Sequence, residues 1–145
     1  MKKLFFFLFL FIFSVSCDTK TSEEKIQNLN GYWEIKSVDQ EDENPTEYRF
    51  SEMIDYIEIE EGEGFRTKVK PQLDGSFKST ENSEELTVKI ENDSINLYYT
   101  TPYDSWKETL LSSEDDEIKL LNQYGTVYTY KRFSPYLTED YGEEN

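Results

Sequence analysis

Glu85-Leu-Thr-Val-Lys-Ile-Glu91, Asn92-Asp93 and Ser94-Ile-Asn-Leu-Tyr-Tyr99 decide the fold of this chain. Leu86, Val88 and Ile90 point one way while Thr87, Lys89 and Glu91 point the other, which is the period of two of an extended strand. One dry and one wet face suit an antiparallel sheet, because strands of a parallel sheet are buried on both sides. Asn92-Asp93 is then a two-residue loop suited to a type I′ hairpin.

Outward from this hairpin the same alternation recurs, with turn signals roughly every eight to twelve residues, the spacing of a sandwich or barrel. Strands are expected at 31–38, 54–60, 65–70, 76–80, 85–91, 94–99, 105–111, 117–121 and 126–132. Glu61-Gly-Glu-Gly64, Asp74-Gly75 and Gly125 punctuate them. The acidic stretch from Asp39 to Pro45 reads as loop, and Thr46 to Ile54 as a short helix carrying Tyr48, Phe50 and Met53. Eight or nine short strands in an open sheet would leave two exposed edges, which closure removes. The expected fold is therefore all-β, an antiparallel up-and-down barrel.

The ends of the chain are not part of that pattern. Lys2 and Lys3 precede an apolar run from Leu4 to Phe13, then small residues at Ser14 and Ser16, the three parts of a secretory signal. Ten apolar residues are too few to span a bilayer, which takes roughly 20. The segment 17–28 reads as a flexible tether, since from Asp18 to Leu29 only Ile26 and Leu29 offer anything to bury. Residues 29–134 form one domain, and 135–145 an acidic, frayed tail.

The formal charge is −16, and loss of residues 1–16 removes two lysines and takes it to −18. Such a chain has no affinity for nucleic acid or for an anionic surface. It contains no histidine and a single cysteine. That excludes Ser-His-Asp and Cys-His catalysis, histidine- or cysteine-based zinc sites and internal disulfides, and no enzymatic role is expected. Six of the ten phenylalanines lie in the signal, so the eleven tyrosines dominate the remaining aromatics.

Ser14-Val-Ser-Cys17 resembles the lipobox of a bacterial lipoprotein, with Ser14 where the common pattern has Leu. The resemblance implies cleavage before Cys17 and acylation of its thiol and new amino group. Several acyl chains exceed the two signals that stable anchoring requires. The expected location is the bacterial envelope, anchored to a membrane, the outer membrane in preference to the inner. Glu23-Glu24 resembles a surface-export signal and Asp18 an inner-membrane retention signal, so the leaflet stays open.

Leu29-Asn-Gly-Tyr-Trp33 and Tyr128-Thr-Tyr-Lys-Arg132 together resemble the opening and closing strands of a lipocalin-like domain in small bacterial lipoproteins. Gly64-Phe-Arg-Thr-Lys-Val-Lys-Pro71 and Tyr103-Asp-Ser-Trp-Lys-Glu108 add to the likeness, which spans residues 29–133. It implies that Gly31, Trp33 and Arg132 are structural, with the tryptophan closing the barrel base and the arginine laid across it.

Two groups of residues bear on binding. Arg66, Lys68 and Lys70 share one face of a strand and, turned inward, could hold a carboxylate or phosphate at the barrel mouth. Alternation favours the outward reading, a solvated stripe balancing Glu58, Glu60 and Glu61, because Phe65, Thr67 and Val69 make the better inner face. Tyr98, Tyr99, Tyr103, Trp106, Tyr128 and Tyr130 crowd the second half of the sheet; they either line a ligand site or fill the core. Of the adjacent pair Tyr98 and Tyr99, at most one faces inward. The candidate ligand-binding residues are thus Arg66, Tyr99, Trp106, Tyr128 and Tyr130. Glu60-Glu-Gly-Glu63 and Glu114-Asp-Asp-Glu117 match no calcium-loop spacing and read as solvated turns, and no metal or cofactor is expected.

Two functions follow: a lipid-anchored barrel that binds a small apolar or amphipathic molecule, or a filled barrel that engages an envelope protein. The volume inside the barrel separates them.

Overall fold

The structure is a computed structural model and describes residues 19–135. The signal, Cys17 and the tail from 136 onward lie outside the described residues.

A short helix α1 (Ser22–Gln27) leads into nine strands: β1 (Gly31–Asp39), β2 (Thr46–Glu47), β3 (Ile54–Glu60), β4 (Glu63–Pro71), β5 (Phe77–Glu91), β6 (Ser94–Thr100), β7 (Ser105–Ser113), β8 (Glu117–Asn122) and β9 (Val127–Arg132). Each of β3 to β9 pairs antiparallel with its neighbour in sequence, β1 pairs with β3, and β9 returns to β1. The result is a closed antiparallel barrel of eight strands, with β2 as an extra strand on β1. Asn92 and Asp93 turn at φ 49° and 64°, as the hairpin type requires.

Three segments differ from their sequence-based reading. Thr46–Ile54 is not a helix. Its first two residues are β2, and its backbone is tied to β1 by Tyr48 N–H on the Lys36 carbonyl at 2.8 Å and Ser51 N–H on Glu34 at 3.1 Å. The strands expected at 76–80 and 85–91 are one, β5, because Thr80 to Glu84 contain no glycine or proline to turn the chain. The strand instead runs on through an irregularity, where its register against β4 shifts between Thr67 and Val69. The distal half of the expected tether is ordered. Thr21 and Glu24 form a reciprocal capping box that starts α1, and Ile26 and Leu29 pack into the core, Leu29 with no exposure.

One core fills the barrel: Trp33, Ile57, Ile59, Leu86, Leu97, Tyr99, Leu110, Ile118, Leu120 and Tyr130. A second apolar cluster lies on the opposite face of β3 and β4, where Ile54 and Val69 are covered by Tyr32, Tyr56, Phe77 and Phe133. The outer face of these strands is thus as apolar as the inner one.

The base of the barrel is closed by α1 and by Trp33. The indole N–H donates to the Leu29 carbonyl at 2.8 Å, and the Arg132 guanidinium carbon lies 3.9 Å above the indole ring. Arg132 then donates to the backbone oxygens of Asn30 (2.7 Å), Asn28 (3.0 Å) and Asp115 (3.1 Å). Gly31 sits at φ +118°, and a Cβ there would stand 2.8 Å from the Arg132 guanidinium, so both backbone angle and space require glycine. The cation–π contact adds about 0.5–2 kcal/mol to the area that the indole buries. Trp33→Ala is expected to cost about 3–5 kcal/mol in chemical denaturation. A loss below about 1 kcal/mol would mean that the base closes without it.

Candidate functional site

The register of β3 against β4 decides which face of the cationic strand is inside. Ile57 faces the core and pairs with Arg66; Asp55 pairs with Lys68. Arg66 therefore points inward, contrary to the reading that alternation favours. Val69, the apparent inner residue, belongs to the cluster on the other face. The Arg66 side chain crosses the barrel. Its Nε donates to Glu84 on β5 at 2.6 Å and a terminal nitrogen to Glu108 on β7 at 3.2 Å, while its guanidinium carbon lies 4.1 Å over the Tyr99 ring. Lys68, nearer solvent, donates to the buried Asp55 at 2.8 Å, and Lys70 reaches Glu52 at 3.9 Å.

Tyr99 has no exposure; its ring stacks on Trp106, its cross-strand partner, at 5.4 Å and 15°. Its hydroxyl has no hydrogen-bond partner in the structure. Burial pushes the Tyr99 phenol well above its ordinary pKa, with Arg66 pulling down and Glu108 pushing up. Burial also raises Tyr130, helped by Asp55. Desolvation disfavours the Arg66 charge, but the facing groups, Glu108 among them, more than offset it and keep the guanidinium charged. Of these two phenols only Tyr130 reaches the cleft above, while Tyr99 is sealed beneath it.

Above this layer lies an open cleft of about 330 Å³. Arg66, Trp106, Tyr128 and Tyr130, four of the five residues singled out in the sequence, line it. Tyr99, the fifth, lies beneath Trp106 and does not. Tyr98 faces outward and donates to Glu91 at 2.6 Å, and Tyr103 is 96% exposed on the turn after β6. Asp104, Lys107, Glu108, Asn122, Gln123 and Tyr124 complete the cleft and were not foreseen. Glu108 was legible in principle: it shares the parity of Trp106 and Leu110 and is an acid at a core position. The turn residues Gln123 and Tyr124 carry no such signal.

Below the cleft the barrel is full. The gap among Trp33, Asp55, Ile57, Arg66, Ile118, Leu120 and Tyr130 is too narrow for a water molecule. A second, more apolar groove of about 270 Å³ lies outside the barrel, beside Phe77, Leu73 and Phe133. The acidic turn 114–117 is drawn into ion pairs: Asp115 with Lys20 and Glu117 with Lys36, each at 2.6 Å.

The model of the lipocalin-like domain family matches residues 29–120. The chain belongs to that family. The match covers β1 to most of β8, while closure by β9 and Arg132 is seen in the structure. Solved structures similar to the chain include a lipocalin-like protein from Bacteroides uniformis, at 11% identity and a TM-score of 0.47, covering 73% of this chain and 99% of that one. Another is an uncharacterized protein from Bacteroides eggerthii, at 12% identity and a TM-score of 0.46, covering 72% and 99%. No curated protein matches the chain.

Glu108 is 5% exposed and is paired with Arg66 at 3.2 Å. Arg66→Met is expected to destabilise this lipocalin-like domain by about 3–5 kcal/mol, and Arg66→Met with Glu108→Leu to recover most of the loss. A double variant no more stable than the single one in denaturant titrations would show that the pair is not the coupled unit.

Proposed function

We propose that this protein is a lipid-anchored envelope lipoprotein, non-enzymatic, whose lipocalin-like barrel binds a small amphipathic molecule at its mouth. The observation that carries the reading is the cleft itself. Trp106, Tyr128 and Tyr130 converge there from β7 and β9, above a floor made by the paired Arg66. Aromatic faces take the apolar part of a ligand, and Asn122, Gln123, Lys107 and Asp104 offer donors and acceptors for its polar part. A wholly apolar molecule fits less well, since the interior beneath leaves no room even for water. Arg66 already serves two carboxylates, so a ligand anion would have to compete with Glu84 and Glu108.

The filled interior also favours a second reading, in which the mouth loops engage an envelope protein and no small molecule is carried. Native mass spectrometry of a soluble form spanning Asp18 to Asn145, before and after organic extraction, separates the two. A discrete adduct lost on extraction supports binding; a single unladen mass, with no adduct regained on exposure to envelope extracts, sinks it. Stacking contributes about 0.5–1.5 kcal/mol, so Trp106→Leu is expected to weaken the recovered ligand by roughly 2- to 10-fold. Unchanged affinity in that variant would move the site elsewhere.

The anchor is supported by the charged start, the apolar run and the small residues before Cys17. The outer membrane is the proposed location in preference to the inner. Cys17→Ser is expected to move the protein out of the membrane fraction. Full retention there after carbonate washing would defeat the lipoprotein reading.

A further inference from the structure

The described chain begins at the closed end of the barrel and is fastened there almost at once. Lys20 pairs with Asp115 in the β7–β8 turn at 2.6 Å. Ser113 Oγ donates to the Lys25 carbonyl at 3.0 Å and accepts from the Asn28 amide at 2.9 Å. Leu29 is buried next to Trp33. The free length between Cys17 and the capped start of α1 at Thr21 is therefore three residues, not the dozen that composition suggests. Three residues span at most about 11 Å. The β6–β7 and β8–β9 turns, which flank the cleft, stand at the other end of the strands, roughly 20 Å away along the seven residues of β6.

We infer that the barrel is held upright on its membrane, with its closed end toward the lipid headgroups and its cleft facing away. The inference rests on the anchor reading above and adds the direction from which a ligand or partner arrives: the aqueous phase, not the bilayer. Attraction to lipid is not what sets this pose. The closed end exposes Glu23, Glu114 and Asp116, which anionic headgroups repel, so the short leash imposes the orientation and the charge keeps the barrel standing off. A long flexible tether would allow the barrel to tumble and present any face. The order in α1 removes that freedom.

The test uses the full-length, processed lipoprotein reconstituted in vesicles containing lipids with nitroxide-labelled headgroups, a short-range fluorescence quencher. With Cys17 acylated, a single introduced thiol takes the fluorophore, at Ser94→Cys near the closed end or at Tyr103→Cys, which is almost fully exposed beside the mouth. Flotation with the vesicles is measured first, because a protein that does not float has no anchor, and that outcome overturns the anchor reading and the orientation with it. Among floating samples, quenching at position 94 is expected to exceed that at 103 several-fold. Insertion of ten Gly/Ser residues between Asp18 and Thr19 is expected to abolish the difference while flotation persists. Equal quenching at the two positions, or stronger quenching at 103, in a floating protein without the insertion overturns the orientation alone.

Discussion

The guanidinium of Arg132 lying on the Trp33 indole is the contact on which the closed sheet depends. Asn30 and Arg132 are 102 residues apart, and bringing such distant strands together costs chain entropy that no local interaction offsets. Arg132 meets that cost by several routes together. It stacks on the buried ring, bonds the backbone of the α1–β1 connection and bonds the β7–β8 turn. The same residue thus joins the first strand, the last strand, the helix and a turn from the middle of the chain. Gly31 belongs to this contact, because any side chain there would occupy the space of the guanidinium.

Above the base, the interior departs from a simple hydrocarbon core. Arg66 and Asp55 are buried among Trp33, Leu120 and Tyr130, Glu108 is buried where it pairs with Arg66, and Glu84 stands at the margin. Replacement of such a group by apolar residues often leaves stability unchanged, so it is not there for stability alone. Here it spans the barrel from β4 to β7 and forms the floor of the cleft. A ligand of the kind proposed would meet a charged, hydrogen-bonded floor beneath the aromatic walls. This arrangement suits a molecule with both an apolar and a polar part better than a hydrocarbon chain.

Much of the fold was legible. The alternation in Leu86–Ile90 and the Asn92-Asp93 turn follow from local rules of backbone and side-chain direction, the Gly-Tyr-Trp opening was read through its resemblance to lipocalin-like domains, and each stands in the structure. Of the cleft residues, Trp106, Tyr128 and Tyr130 could be picked out because aromatic rings at alternating positions are visible in one dimension. Arg66 could be picked out but not oriented. Its strand is amphipathic in both directions once Phe77 and Phe133 cover the outer face, and nothing within β4 reveals that cover. The Ser22–Gln27 helix has too few apolar residues to announce itself; what holds it is the capping box and the bonds to Ser113 and Asp115.

The amino-acid sequence by itself therefore determined the strand content, the antiparallel hairpins, the acidic charge and the absence of histidine chemistry, because these depend on neighbours along the chain or on composition. Tertiary structure alone decided which face of β4 is the inside, that the barrel is filled, and that the chain is fastened to the base within three residues of Cys17. Those outcomes depend on register and on contacts between residues as far apart as Lys20 and Asp115, and such contacts exist only after the sheet has closed.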